Sequence, residues 1–254
     1  MKMKLIELTL HQGKIQIRGG LYFPEQKPRG LVPAVIFCHG IPGGMPDPND
    51  KGYIPLIEEI TSCGLCAVLF NFRGCGLSGG NIDMEGWGSD LEAVLDKVYN
   101  TPGIDPSSIH CIGSSAGGAI ASKVAAYNKH IKSLMLMATP ADLSDILPED
   151  PYMLKSHFLD IGVIRDQGFP EDIDLWYNNF VQLMPARDVP FISPRPVAIV
   201  HGTHDTLVPE RHAKRLYDAA LDPKDIILVE RAPHQLRKDT RTPKIITDWL
   251  NKVA

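Results

Sequence analysis

The run Gly113-Ser114-Ser115-Ala116-Gly117 sets two hydroxyls among residues with almost no bulk. A serine becomes a useful nucleophile only when its hydroxyl is held clear of the chain and a base can take its proton. Ser115 meets the first demand better than Ser114. It is centred between Gly113 and Gly117, which leave room for a sharp reversal. The apolar "IHCI" before it and the helix-forming "AIASKVAAY" after it make that reversal a strand-to-helix turn. Ser114 then packs or hydrogen-bonds locally. The bland alternative is a plain glycine turn, and the rest of the chain has to decide between the two.

A serine hydroxyl needs a base, and the base needs an acid to hold it. His234 in "ERAPHQL" and Asp205 in "HGTHDTLVP" follow two successive apolar runs near the C-terminal end. Ligands in open, mostly parallel sheets bind beyond the carboxyl ends of the strands, so both residues stand where a site would form. His201 and His204 are rivals for the base. His201 comes directly after a buried run and suits a supporting role, while His204 sits beside the proposed acid. Asp142, after "MLMATPA", is the rival acid. Asp205 is preferred because its loop is short and leads through "D-x-x-V-P" into a helix.

Attack on a carbonyl builds negative charge on its oxygen, which backbone N–H groups can stabilise. Ala116, directly after the serine, can supply one. The second is expected from "IPGG" (Ile41 to Gly44), with Ile41 as donor, because Pro42 has no N–H. His39 suits an orienting role for this loop.

These residues need elements to hold them. "KLIELTL" and "KIQIRGGLYFP", joined through Gly13, read as two antiparallel strands. Continuous apolar runs at "AVIFCHG", "CAVLFNFRG", "IHCIGSS", "SLMLMAT", "PVAIVHG" and "DIILVERA" read as buried parallel strands. Helical patterns fall near 52–62, 84–99, 116–127 and 209–220, and "TPKIITDWLNKV" closes the chain with Trp249 and Leu250 placed to pack on the sheet. The alternation predicts one α/β domain over residues 1–254, with a mostly parallel eight-stranded sheet and helices on both faces. Residues 141–195 break the rhythm. Six prolines and two short helical patterns, near 152–159 and 171–182, predict a small helical insert over one strand end.

In its motifs the chain resembles the α/β-hydrolases, and among them the serine carboxylesterases, including cinnamoyl and feruloyl esterases, and related serine peptidases. The matching pieces are "HGIPGG", "NFRGCGLSGG", "GSSAGG", "HGTHDTLVP" and the histidine of "APHQL". The order Ser115, Asp205, His234 is the order of that family's triad. The resemblance implies that Ser115 attacks, His234 acts as base, Asp205 orients it, and Ile41 and Ala116 form the oxyanion hole. It also implies a lid where residues 141–195 lie. Asn71 stands where the family's supporting loop often has Asp. The expected reaction is hydrolysis of a small or medium acyl or aryl ester through an acyl-enzyme. Peptide, amide or thioester hydrolysis, and a non-catalytic binding role, stay open. The insert's aromatic residues (Tyr152, Phe158, Phe169, Trp176, Tyr177 and Phe180) are expected either to line an acyl pocket or to pack the insert on the sheet.

Composition narrows the partners. With 26 basic and 30 acidic residues the formal charge is -4, so nothing favours nucleic acid or an anionic membrane. No signal-peptide pattern or long apolar run is present, which predicts a cytoplasmic protein with no membrane association. Five cysteines in no paired spacing fit a reducing compartment, and "CGLC" (Cys63 to Cys66) reads as packing rather than redox or metal chemistry. No metal or organic cofactor is expected. The partner is a small-molecule ester, and an edge strand or the insert is where a homodimer would form.

Overall fold

In the computed structural model, which describes residues 3–25, 30–43 and 50–253, eight strands form one sheet in the order β1-β2-β4-β3-β5-β6-β7-β8. The strands are β1 (Met3–Gln12), β2 (Ile15–Pro24), β3 (Val32–Cys38), β4 (Cys66–Phe70), β5 (Ile104–Ser114), β6 (Ile131–Met137), β7 (Val197–Gly202) and β8 (Lys224–Val229). β1 and β2 pair antiparallel through the turn at Gly13, which has φ +60°, and β2 pairs antiparallel with β4. The remaining pairs are parallel. This is the α/β-hydrolase architecture expected from the sequence.

The helices are α1 (Ile54–Ser62), α2 (Met84–Tyr99), α3 (Ala116–Tyr127), α4 (Pro151–Asp160), α5 (Ile173–Val181), α6 (Pro185–Asp188), α7 (Arg211–Ala219) and α8 (Thr242–Val253). Strand residues alternate between two cores, as a twofold side-chain repeat requires. On β3, Ala34, Ile36 and Cys38 face a core shared with α2, α3 and α7. Val35 and Phe37 face a second core with Leu56, Ile57 and Ile60 of α1 and Ile246, Trp249 and Leu250 of α8. Both faces are therefore covered, which explains why the central strands read as unbroken apolar runs. α2 starts where Asp83 caps it, its carboxylate accepting from the N–H groups of Glu85 and Gly86. The pattern near 209–220 is shorter in the structure, since the stretch to Glu210 is used to leave the Asp205 loop.

The segment 141–195 forms the lid-like insert, carrying α4, α5, α6 and two 3₁₀ turns. α4 and α5 are each capped by an aspartate, Asp150 and Asp172. The insert is tied to the supporting loop after β4. Arg165 donates to the carbonyls of Ser78 and Gly76, at 2.6 and 2.9 Å, and Trp176 Nε1 donates to the Ile82 carbonyl at 3.0 Å. The aromatic residues divide unequally. Trp176 and Phe180 are buried and pack edge to face with ring centroids 5.0 Å apart, joining the core beneath. Tyr152 is exposed. Of the six, only Phe158 lines the main pocket, so packing is the dominant role of these aromatics and the insert's contribution to the lining is mainly aliphatic.

Candidate active site

The turn at Ser115 joins β5 to α3. Its backbone has φ 52° and ψ -126°, a left-handed conformation that a residue with a side chain adopts at a cost of roughly 1–3 kcal/mol. The surroundings hold it there. Ser115 N–H donates to the Met137 carbonyl of β6 at 2.9 Å, and the Ser115 carbonyl takes the N–H groups of Gly118 and Ala119. The neighbouring glycines are required by close approach. A Cβ on Gly117 would lie 2.2 Å from the His39 carbonyl oxygen, and one on Gly118 would lie 2.0 Å from Thr139 Oγ1. On the facing strand end, a Cβ on Gly40 would lie 2.9 Å from Ser115 Cβ. Sequence reasoning singled out Gly113 and Gly117. The sequence gives no sign of the close approach at Gly40 and Gly118, because the atoms they meet come from distant segments, the β5–α3 turn and the stretch after β6.

Asp205 and His234 meet across the ends of β7 and β8. His234 Nδ1 is 2.7 Å from Asp205 Oδ2. The other carboxylate oxygen accepts from the N–H groups of Leu207 and Val208, at 2.9 and 2.8 Å. Bonds between the two loops fix the approach. His204 N–H donates to the Ala232 carbonyl, and Arg231 N–H donates to Thr203 Oγ1. The Asp205 side chain is fully shielded from solvent, whereas that of His234 is 21% exposed and reaches the pocket. Burial pushes the Asp205 carboxyl up, but the bonds from His234 and Val208 outweigh it and hold the acid below its usual range.

The rival residues are committed elsewhere. His201 is fully buried, with Nε2 at 2.8 Å from the Val208 carbonyl and 3.5 Å from Asp205 Oδ2, so it braces the acid loop. His204 is exposed. The Asp142 carboxylate accepts from Ser144 N–H and Ser144 Oγ and so caps the turn that opens the insert. His39 has both ring nitrogens engaged: Nδ1 is 2.7 Å from the Gly40 carbonyl and Nε2 accepts from Phe72 N–H at 3.1 Å. Burial lowers its pKa, against the opposing pull of the Gly40 bond, so it stays neutral and fixes the strand end.

Ser115, His234, Ile41 and Ala116 line one pocket of about 680 Å³. The N–H of Ala116 opens α3 and has no partner within the helix, leaving it available to a ligand. Gly44 of the Ile41 loop lies outside the described residues. The model of the alpha/beta hydrolase fold family matches residues 33–169, more than half of the chain. The chain belongs to this family.

Relatives place the α/β hydrolase in wider company. It is 28% identical over 210 residues to the uncharacterized protein YfhR of Salmonella typhimurium. That match covers 82% of the chain and 66% of YfhR, so the chain spans just under two thirds of that relative's length. The structure of DcsB with its substrate analogue superposes with a TM-score of 0.76 at 17% identity, covering 99% of both chains. The esterase domain of a Rhodothermus marinus protein superposes with a TM-score of 0.69 at 19% identity, covering all of both. These two likenesses concern the fold.

Other walls of the hydrolase pocket were invisible in the sequence. Leu143, Ile146, Leu147, Pro148 and Leu154 of the insert form an aliphatic side. Asp50, Tyr53, Arg237 and Lys238 form a charged one. Asp50 and Arg237 are 187 residues apart, and no local pattern announces their ion pair. Asn71, at the position where the family often has Asp, lies in the pocket floor, its side chain accepting from Leu77 N–H at 3.3 Å. "CGLC" ends α1 and starts β4, with Cys63 exposed and Cys66 buried as free thiols. Among the described residues no three His, Cys, Asp or Glu side chains converge as a metal site. No helix among them is long and apolar enough to cross a membrane.

Proposed function

We propose that the chain is a serine carboxylesterase for small to medium acyl or aryl esters, working as one domain. The observation that carries this reading is the short His234–Asp205 bond at the edge of the pocket that Ser115 also lines. In this account Asp205 accepts the Nδ1 proton of His234 and fixes the tautomer. Nε2 is then the free base, and takes the Ser115 proton as Oγ attacks the ester carbonyl. The N–H groups of Ile41 and Ala116 receive the developing oxyanion. The tetrahedral intermediate collapses, and the alcohol leaves with the proton returned by His234. Water, deprotonated by the same histidine, then cleaves the acyl-serine and releases the acid.

The aliphatic wall favours an acyl or aryl group over the polar amide groups of a peptide backbone. A panel of p-nitrophenyl esters of rising chain length, a feruloyl ester, an acyl thioester and an aminoacyl anilide tests the bond cleaved. Esters are expected to turn over fastest. Turnover of the anilide alone would overturn the reading in favour of a peptidase.

A further inference from the structure

Two histidines beneath the acid loop are fully enclosed, each at 0% exposure, and each has one ring nitrogen with no hydrogen-bond partner among the described residues. The nitrogens are His201 Nδ1 and His212 Nε2. A buried polar atom left unpaired is costly, so such orphans are rare in folded proteins.

The bonds made by the other nitrogen of each ring show where the protons sit. His201 Nε2 lies 2.8 Å from the Val208 carbonyl, which can only accept. Nε2 therefore carries the proton, and Nδ1 presents a lone pair. His212 Nδ1 accepts the Ala141 N–H at 3.2 Å, so in the neutral ring Nε2 carries the proton. Burial lowers the pKa of His212, with the charges of Arg211, Arg215 and His201 pulling the same way and Asp145 opposing, so the ring stays neutral. The two orphans are one acceptor and one donor. The fold brings them to one place. His201 lies at the end of β7, and His212 opens α7, which packs on β7. Both hold adjacent residues of the connecting loop: His201 through the Val208 carbonyl, and His212 through its own backbone N–H to the Pro209 carbonyl at 2.9 Å.

We propose that His212 Nε2–H donates to His201 Nδ1 across at most one bridging water, and that this link makes both histidines positioning residues for Asp205. A donor at Nδ1 fixes the His201 ring and strengthens its Nε2–H. That N–H holds the Val208 carbonyl and lies 3.5 Å from Asp205 Oδ2, the oxygen that faces His234 Nδ1. Val208 N–H holds the other oxygen. The carboxylate is thus oriented by two histidines that do not line the pocket. Their part in turnover rests on the function proposed above; the link itself does not.

Three near-isosteric variants separate the link from plain packing. His212→Asn keeps an acceptor for Ala141 N–H and removes the Nε2 donor. His212→Gln keeps a donor at the Nε2 position and removes the Nδ1 acceptor. His201→Gln keeps a donor for Val208 and removes the Nδ1 acceptor. His212→Asn and His201→Gln should each lower ester kcat by about tenfold with KM little changed, and together by no more than either alone. His212→Gln should stay within about threefold of wild type. Side-chain ¹⁵N spectra of the histidine-labelled protein need no turnover. In the wild type both rings should be neutral with the proton on Nε2, and the His201 Nδ1 resonance should be displaced from that of an unbonded imidazole nitrogen. His212→Asn should move it back. A proton on His212 Nδ1, an undisplaced His201 Nδ1, or no response to His212→Asn overturns the link. If the link is seen but His212→Asn and His201→Gln keep full kcat, or their losses add, or His212→Gln costs as much as His212→Asn, the positioning role is overturned. If no ester reacts while the spectra behave as expected, the esterase reading falls and the link stands.

Discussion

His234 Nδ1 stands 2.7 Å from one oxygen of Asp205, while the other oxygen takes two backbone N–H groups of its own loop. This division of labour makes Asp205→Asn a clean probe. The amide carbonyl keeps the Leu207 and Val208 bonds, so the NH₂ group turns to His234 and offers a donor where an acceptor is needed. The ring is left in the wrong tautomer. The expected loss is about 10³–10⁴-fold in kcat at neutral pH, with little change in melting temperature. Steady-state kinetics beside a thermal melt checks both halves.

The two serines of the turn are predicted to behave differently. Ser115→Ala should lose roughly 10³-fold or more in turnover, whereas Ser114→Ala should retain most of it. Ser114 ends β5 and Ser115 takes the left-handed turn that opens α3. Ester hydrolysis by both variants, each verified as folded by circular dichroism, is the measurement.

Gly117 has no room for a methyl group. A Cβ there would meet the carbonyl oxygens of His39 and Cys38 at 2.2 and 2.4 Å, both backbone and neither free to swing away. Gly117→Ala should therefore cost about 1–3 kcal/mol, as overpacking does, and shift the end of β3 relative to α3. Chemical denaturation gives the stability, and a loss of activity larger than the loss of folded protein would mark displacement of the loop carrying Ile41, the proposed oxyanion donor.

Stability should fall on mild acidification. His110 is buried between Ser108 and Ser133, with Nδ1 2.7 Å from Ser133 Oγ. Burial, helped by the charge of Lys132, lowers its pKa to about 4. The unfolded chain holds this proton more tightly, so the stabilising contribution is full above about pH 6.5 and is lost as pH falls towards 4. The drop due to this residue is about 3 kcal/mol. His39 and His212, also lowered chiefly by burial, add in the same direction. Urea denaturation from pH 7 to 4.5 should show the decline, and His110→Gln should flatten it.

Much of this fold is legible because the chemistry is local. The limits of α2 and α3 can be read directly, since Asp83 caps one and the Ser115 turn opens the other. Asp205 and His234 announce themselves by following successive buried strands, and their meeting depends on loops too short to wander. What stayed hidden is non-local. Nothing near Trp176 reveals that its indole N–H reaches Ile82 and that the ring belongs to the core. Nothing near Asp50 points to Arg237. The aliphatic lining contributed by Leu143, Ile146 and Leu147 depends on how the insert folds back over the strand ends, which periodicity does not encode. His39 is an intermediate case: its position at a strand end suggests orientation, but the bond from Phe72 that fixes its second nitrogen comes from the loop after β4.

The account stands on Ser115 as the attacking atom, and covalent capture tests that most directly. The native protein would be treated with a serine-directed fluorophosphonate and examined by intact and peptide mass spectrometry, alongside Ser115→Ala and Ser114→Ala. The prediction is a single adduct on the peptide containing Ser115 in the wild-type protein and in Ser114→Ala, and none in Ser115→Ala. No labelling of the folded wild-type protein, or equal labelling of Ser115→Ala, would contradict it.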